Sequence, residues 1–294
     1  MKKDISAQQI PIAEQNQLFA AMSEQAKERL RPLLEPVTLK RDAVLYAPET
    51  SMEYVYFPID AIVAITFVTA NGTTAEVSVI GNDGLVGVHS LLSNENTSTK
   101  AFVMSAGFVY RLSMHAMQDE FNRHDSTLLL VLRYLQTLIT QISLTAACNR
   151  HHTIEQQFSK LLLLSLDRLP CNNLTFTQEL VSVMLGVRRE GITEAAVKLQ
   201  KSGVIEYHRG HITVLDRTKL EQSCCECYEI LKKETNKLLP RKAINLPVAL
   251  AYAAHPNSLI EPKCVHCFKF GSCIYLRNNI KQATRKCITT TQVK

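Results

Sequence analysis

Cysteine is missing from the first 147 residues of this 294-residue chain; all nine of its cysteines lie from Cys148 onward. An iron–sulfur cluster needs several thiolates held together, so the N-terminal half cannot build one alone. No uninterrupted apolar run approaches the ~18–20 residues needed to cross a bilayer. The start, Met1-Lys-Lys-Asp-Ile-Ser, has no apolar stretch of the secretory kind. A cytoplasmic location away from membranes is therefore expected, with thiols kept reduced rather than paired into a disulfide framework. Catalytic signatures are missing too. No nucleophile–base motif, phosphate loop or His-Glu-x-x-His zinc signature occurs, so no enzyme is expected.

The body also lacks a charge excess. The net +6 of the chain divides unevenly: residues 1–240 carry 24 Lys/Arg against 26 Asp/Glu, and residues 241–294 carry nine against one. Bulk charge therefore says nothing in favour of nucleic-acid binding by the body.

What is present is organised. An apolar fraction of 46% is ordinary for a globular chain, and the length suits two domains with an appendage. An amphipathic stretch, Leu18 to Leu30, predicts one helix. Short segments rich in β-branched and aromatic residues follow: Val37-Thr-Leu, Ala43-Val-Leu-Tyr, Tyr54-Val-Tyr-Phe, Ile62-Val-Ala-Ile-Thr-Phe, Ala75-Glu-Val-Ser-Val-Ile, Ala101-Phe-Val-Met and Phe108-Val-Tyr-Arg-Leu. Turn residues separate them, Asn71-Gly72 being the strongest hairpin signal. The pattern predicts a barrel, roll or sandwich.

A long helix should then begin at Asp125-Ser126. Leu128, Leu132, Leu135, Ile139, Ile142 and Ala146 recur at alternating spacings of four and three, the pattern of a helix–helix seam. They are taken as a dimer seam. A helix over Ile154–Leu166 follows, then Leu174-Thr-Phe, a helix from about Gln178 to Leu185, Gly186, and a second helix from Arg188 to about Lys201. Strands around Val204-Ile-Glu-Tyr and His211-Ile-Thr-Val-Leu come next, and Asp216 caps a last helix reaching about Lys233. Helix, tight turn, helix and hairpin are the outline of a winged helix-turn-helix.

Within it, Leu180, Met184 and Val187 should face Ile192, Ala196 and Leu199. That leaves Arg188, Arg189, Glu190 and Thr193 outward at the start of the second helix, where base edges are read. Arg suits guanine O6 and N7, Glu suits cytosine N4, and Thr suits the thymine methyl. Thr177, Lys198, Lys201, His208 and Arg209 are the phosphate-contacting candidates.

Residues from about Leu18 to Tyr228 resemble the Crp/Fnr family of bacterial transcription regulators. The most specific match is the helix-turn-helix, with Arg188-Arg-Glu at the start of the recognition helix and Lys201-Ser-Gly-Val-Ile leading into the wing. The resemblance implies an α+β fold: a cyclic-nucleotide-binding-like β-roll (1–121), a dimerisation helix and hinge (122–150) and a winged helix-turn-helix (151–235). Residues 236–294 form a basic tail outside it. It also implies a homodimer on double-stranded, palindromic DNA, with recognition helices about 34 Å apart, and RNA polymerase as a partner. Arg189 and Glu190 match the family's base-reading pair, but Glu194 replaces a further arginine one turn on, which puts the operator sequence in doubt.

The sensor departs further. Where cyclic-nucleotide binders carry Glu and then Arg, this chain has Val88 and, nearby, Thr97, with Lys100 the one cation at hand. No cyclic-AMP site and no cofactor are expected, and the effector is left open. A regulatory subunit controlling another protein is the alternative function, disfavoured by the winged helix. Histidines 89, 115 and 124 read as packing or surface residues, not haem ligands. Cys224 and Cys227, placed one turn apart on the predicted last helix, read as packing thiols. In the tail, Cys264, His266, Cys267 and Cys273 are weak zinc candidates of incomplete spacing.

Overall fold

The structure, a computed structural model, describes residues 12–239 apart from 71, 73, 93–96 and 170. The zinc candidates Cys264, His266, Cys267 and Cys273 lie outside the described residues.

Two short helices open the chain, α1 (Gln17–Ala21) and α2 (Glu24–Leu30). The single expected helix is broken because the Ser23 hydroxyl accepts from the Ala26 amide and starts a new one. Seven strands follow: β1 (Glu35–Leu39), β2 (Val44–Tyr46), β3 (Tyr54–Pro58), β4 (Ile62–Val68), β5 (Thr74–Ile80), β6 (Thr99–Ser105) and β7 (Gly107–Ser113). They form two antiparallel sheets, ordered β1-β7-β3 and β2-β6-β4-β5. The β4–β5 pair is the hairpin that Asn71-Gly72 signals, with Gly72 at φ 80°. Tyr46, Val63, Ile65, Ile80, Val86 and Ala101 pack together as one apolar core of the roll.

After α3 (Met114–Phe121) comes α4 (Ser126–His151), where the Asp125 carboxylate accepts from the Thr127 amide as the N-cap. The face of α4 turned toward the roll is unexpectedly polar. Alongside Leu130, Val131 and Tyr134 it buries Thr127, Thr137, Gln141 and Thr145. The Tyr134 hydroxyl donates to the Leu85 carbonyl at 3.0 Å, and the Gln141 amide to the Val79 carbonyl at 3.3 Å. Apolar residues point the other way: Leu129, Leu132, Ile139 and Ile142 are 52, 46, 56 and 43% exposed. Leu128 and Leu135 are half-buried, so the proposed seam lies on the outer side of the helix.

Among the described residues α4 is the one helix long and apolar enough by length and composition to cross a membrane, a test that the core helix of a soluble protein also passes. The expectation of no unbroken apolar run of that length stands, because Arg133, Gln136, Gln141 and several threonines interrupt the helix. Of these, Gln141 ties the helix to the roll through the Val79 carbonyl.

A sharp break follows, His152 being extended at φ −108° and ψ 153°. Helix α5 (Ile154–Leu166) starts at once, through a reciprocal cap in which Thr153 and Gln156 satisfy each other's backbone amides. Next come β8 (Asn173–Thr175), α6 (Gln178–Leu185), α7 (Arg189–Lys201), β9 (Ile205–His208) and β10 (His211–Val214). The three strands form an antiparallel sheet ordered β8-β10-β9. The expected last helix is two: α8 (Arg217–Gln222) and α9 (Cys227–Leu238). Cys224 and Cys227 therefore do not share a helix face, because the chain turns between them.

One continuous core holds Phe158, Leu162, Phe176, Met184, Ile192, Leu199, Ile212 and Leu220 together with Ile62, Ala64, Val79 and Met104 of the roll. The Arg168 guanidinium reinforces that junction, meeting Asp83 at 2.8 Å with 6% of its side chain exposed.

Candidate nucleic-acid interface

The second helix of the helix-turn-helix owes its position to small residues and a turn. Gly186 ends α6 at φ 63°, in the left-handed region that a side chain disfavours. Ile192, Ala196 and Leu199 of α7 are buried against Met184 and its neighbours, and Leu180 and Val187 pack at the margin, as the sequence pattern requires. At Gly191 a Cβ would come within 2.7 Å of Ile154 Cδ1, so glycine lets α7 lie close on α5.

With the inner face fixed, the outer face follows. Arg188, Arg189, Glu190 and Thr193 are all exposed at the start of α7. Arg188 is the N-cap rather than the first helical residue, a one-residue shift from expectation, and no side chain caps the helix. The uncapped first turn presents backbone N–H groups and positive dipole where Arg188 and Arg189 add charge.

Two features of this face were not foreseen. Gln178, the first residue of α6, accepts from Arg189 Nε at 3.3 Å and from the Thr193 hydroxyl at 3.1 Å. It holds two of the candidate base-reading side chains in register across the turn. Its only sequence signal is its place directly after the Thr177 cap. On the far turn, Lys198 pairs with Glu194 at 3.1 Å, so one phosphate candidate already has an anionic neighbour.

The wing is a two-residue hairpin. His208 pairs with His211, leaving Arg209 and Gly210 as the loop, at φ 48° and 83°. Positive φ at both positions is the type I′ arrangement, matched to strand twist and usually given to Asn-Gly or Gly-Gly. An arginine there is strained, and it projects from the tip beside exposed His208. The wing also abuts α6: a Cβ on Gly210 would sit 3.4 Å from the Thr177 methyl. Thr177 itself is exposed, its hydroxyl oxygen accepting from the Leu180 amide at 3.1 Å, so its proton remains available to donate. Lys201 is exposed at the end of α7. Start of α7, start of α6 and wing tip thus supply cations and donors suited to a polyanionic groove.

In the roll, Val88 is buried at 5% in a short turn of 3₁₀ helix (Val88–Leu91) begun by Gly87 at φ 96°. Val88 packs with Leu85, Leu91 and Leu112 and offers a ribose nothing. Thr97 bonds to the Thr99 hydroxyl at 2.8 Å, and the Lys100 ammonium lies 5.8 Å over the Phe102 ring. His89 stacks edge-on with Tyr46 at 5.0 Å, and burial lowers its pKa, so it packs as a neutral ring.

Comparison with known proteins follows the same division. Residues 36–124 match the model of a cyclic nucleotide-binding domain, and residues 158–223 match that of a Crp-like helix-turn-helix domain. No curated protein matches the sequence significantly. Among solved structures, FixK2 from Bradyrhizobium japonicum superposes with a TM-score of 0.56 at 14% identity, over 65% of this chain and 98% of that one. A CRP-family transcriptional regulator from Thermus thermophilus gives 0.54 at 16%, over 64% and 95%. The c-di-GMP-responsive regulator CLP of Xanthomonas campestris gives 0.53 at 14%, over 66% and 100%. At such identities these likenesses speak for the fold.

Proposed function

Because this chain belongs to the Crp/Fnr family of DNA-binding transcription regulators, we propose that it works as a cytoplasmic homodimer on a palindromic operator and answers to something other than cyclic AMP. The observation that carries the reading is the exposed Arg188-Arg189-Glu190-Thr193 face, ordered by Gln178 at the uncapped start of α7. A DNA duplex presents base edges to just such a helix start. The outward apolar stripe of α4 supports the two-fold assembly. A face carrying Leu129, Leu132, Ile139 and Ile142, each more than two-fifths exposed, is the kind of surface that a second copy covers. The two recognition helices then enter successive major grooves about 34 Å apart, and RNA polymerase is the partner through which binding would act on transcription.

Val88 and Thr97 leave a bound nucleotide without its ribose acceptor and phosphate cation, which supports a different effector. Calorimetry with cyclic AMP and cyclic GMP checks this, and micromolar affinity for either would overturn it. Operator selection from random DNA, followed by gel shifts across a salt series, tests the main reading. An enriched inverted repeat whose affinity falls steeply with salt is expected; recovery of no preferred sequence would refute it.

A further inference from the structure

Cys148 and Cys225 lie 77 residues apart in the chain, yet their sulfurs approach to 3.6 Å. Cys227 Sγ stands 3.7 Å from His152 Nδ1, and all four ligand atoms fall within 4.8 Å of one another. The three cysteines are buried at 0, 5 and 3% exposure. A tetrahedron about zinc, with Zn–S near 2.3 Å and Zn–N near 2.0 Å, has edges of about 3.8 Å between sulfurs and about 3.6 Å between sulfur and nitrogen. The spacing is already that of a coordination shell, and it is too wide for a disulfide, whose sulfurs stand about 2 Å apart.

We propose that Cys148, His152, Cys225 and Cys227 bind a single zinc ion in closed Cys3His coordination. The surroundings fit such a site. The other nitrogen of His152, Nε2, faces the Glu226 carboxylate at 3.3 Å. A carboxylate behind a ligating imidazole fixes its tautomer and strengthens its donor nitrogen. Cys224, the neighbouring thiol, turns away toward the Gln156 carbonyl at 3.9 Å and stays outside the set.

The ligands come from two places that nothing covalent joins nearby. Cys148 lies in the last turn of α4 and His152 just beyond it, at the extended break before α5; Cys225 lies in the turn between α8 and α9, and Cys227 opens α9. Four protein ligands leave no open position, so the role is structural. The ion would fix the angle at which the winged helix leaves the long helix. It does not rest on the DNA-binding reading and can fail separately from it.

The test uses the full chain, with Cys264, Cys267, Cys273 and Cys287 all changed to Ser so that the tail supplies no thiolate. Purified under reductant, this protein should contain one zinc per chain by elemental analysis. Cobalt exchange should give tetrahedral d–d bands with sulfur-to-cobalt charge transfer. Cys225→Ser and Cys227→Ser should each abolish tight binding, Cys224→Ser should keep it, and His152→Cys should keep it with stronger charge transfer. Should the serine variants fail to fold, the His152→Cys spectrum decides. A background protein without metal would overturn the proposal. So would full retention of cobalt in folded Cys225→Ser, an unchanged charge-transfer intensity in His152→Cys, or a Cys148–Cys225 disulfide.

Discussion

Replacing Ile139 by Ala separates assembly from folding. Ile139 is 56% exposed in the protomer, so more than half of its surface has nothing to lose when it is trimmed. Fully burying an isoleucine side chain is worth about 1.5–3 kcal/mol. Burial of the exposed half in a dimer is therefore worth about 1 kcal/mol per copy, or about 2 kcal/mol over a two-fold seam. At about 1.4 kcal/mol per tenfold, the dimer dissociation constant should rise about 30-fold. Sedimentation equilibrium across a dilution series reads this directly. Denaturation of the fully dissociated protein should change little. Tyr134→Phe, on the opposite face, should do the reverse: it loses the 3.0 Å bond to the Leu85 carbonyl, lowering protomer stability by about 1 kcal/mol with the association constant preserved. An Ile139→Ala protein that dimerises as tightly as wild type would refute the outward stripe as the seam.

Arg189→Ala should weaken operator binding by about 1–3 kcal/mol and relax preference at one base position, as read by selection. Gln178→Ala should weaken it less, since it removes an orienting acceptor and no base contact. Arg209→Gly relieves a left-handed side chain; melting should show a gain of about 1 kcal/mol, while the salt slope of DNA affinity should shrink by about one per copy. Asp216 accepts from the Lys219 amide, which holds its carboxyl below the usual aspartate range. Its folded-state pKa being depressed, the stability it lends is complete above the ordinary aspartate pKa and is lost as pH falls through the lowered one. Acid titration of Asp216→Asn should accordingly show a shallower loss over that window.

Local signals carried much of the fold. The boundaries of α5 were readable because Thr153 and Gln156 form a cap that depends on four consecutive residues. The seven strands were readable because turn residues separate them. Two helices were read as longer than they are, at Ser23 and at Ser223–Glu226, where apolar periodicity runs across the break and hides it. The period of α4 was evident, but not that its polar side would be the buried one: the carbonyls of Leu85 and Val79, which accept from Tyr134 and Gln141, lie 49 and 62 residues away. The exposure of Arg188, Arg189, Glu190 and Thr193 was legible because they are nearly continuous in sequence at one helix start. Gln178 was not, since its partners Arg189 and Thr193 meet it only after the turn at Gly186. The thiol cluster was invisible for the same reason on a larger scale.

The hydrogen bonds under α4 give the helix something that apolar packing would not. Greasy surfaces allow sliding by fractions of a side chain, whereas Tyr134 and Gln141 each address one particular carbonyl. The helix is thus indexed to the segment from Val79 to Leu85. At 1.5 Å per residue, its 26 residues make a rod about 39 Å long, whose far end is the break at His152. One rod thus spans from the Val79–Leu85 segment of the roll to the break that opens the winged helix.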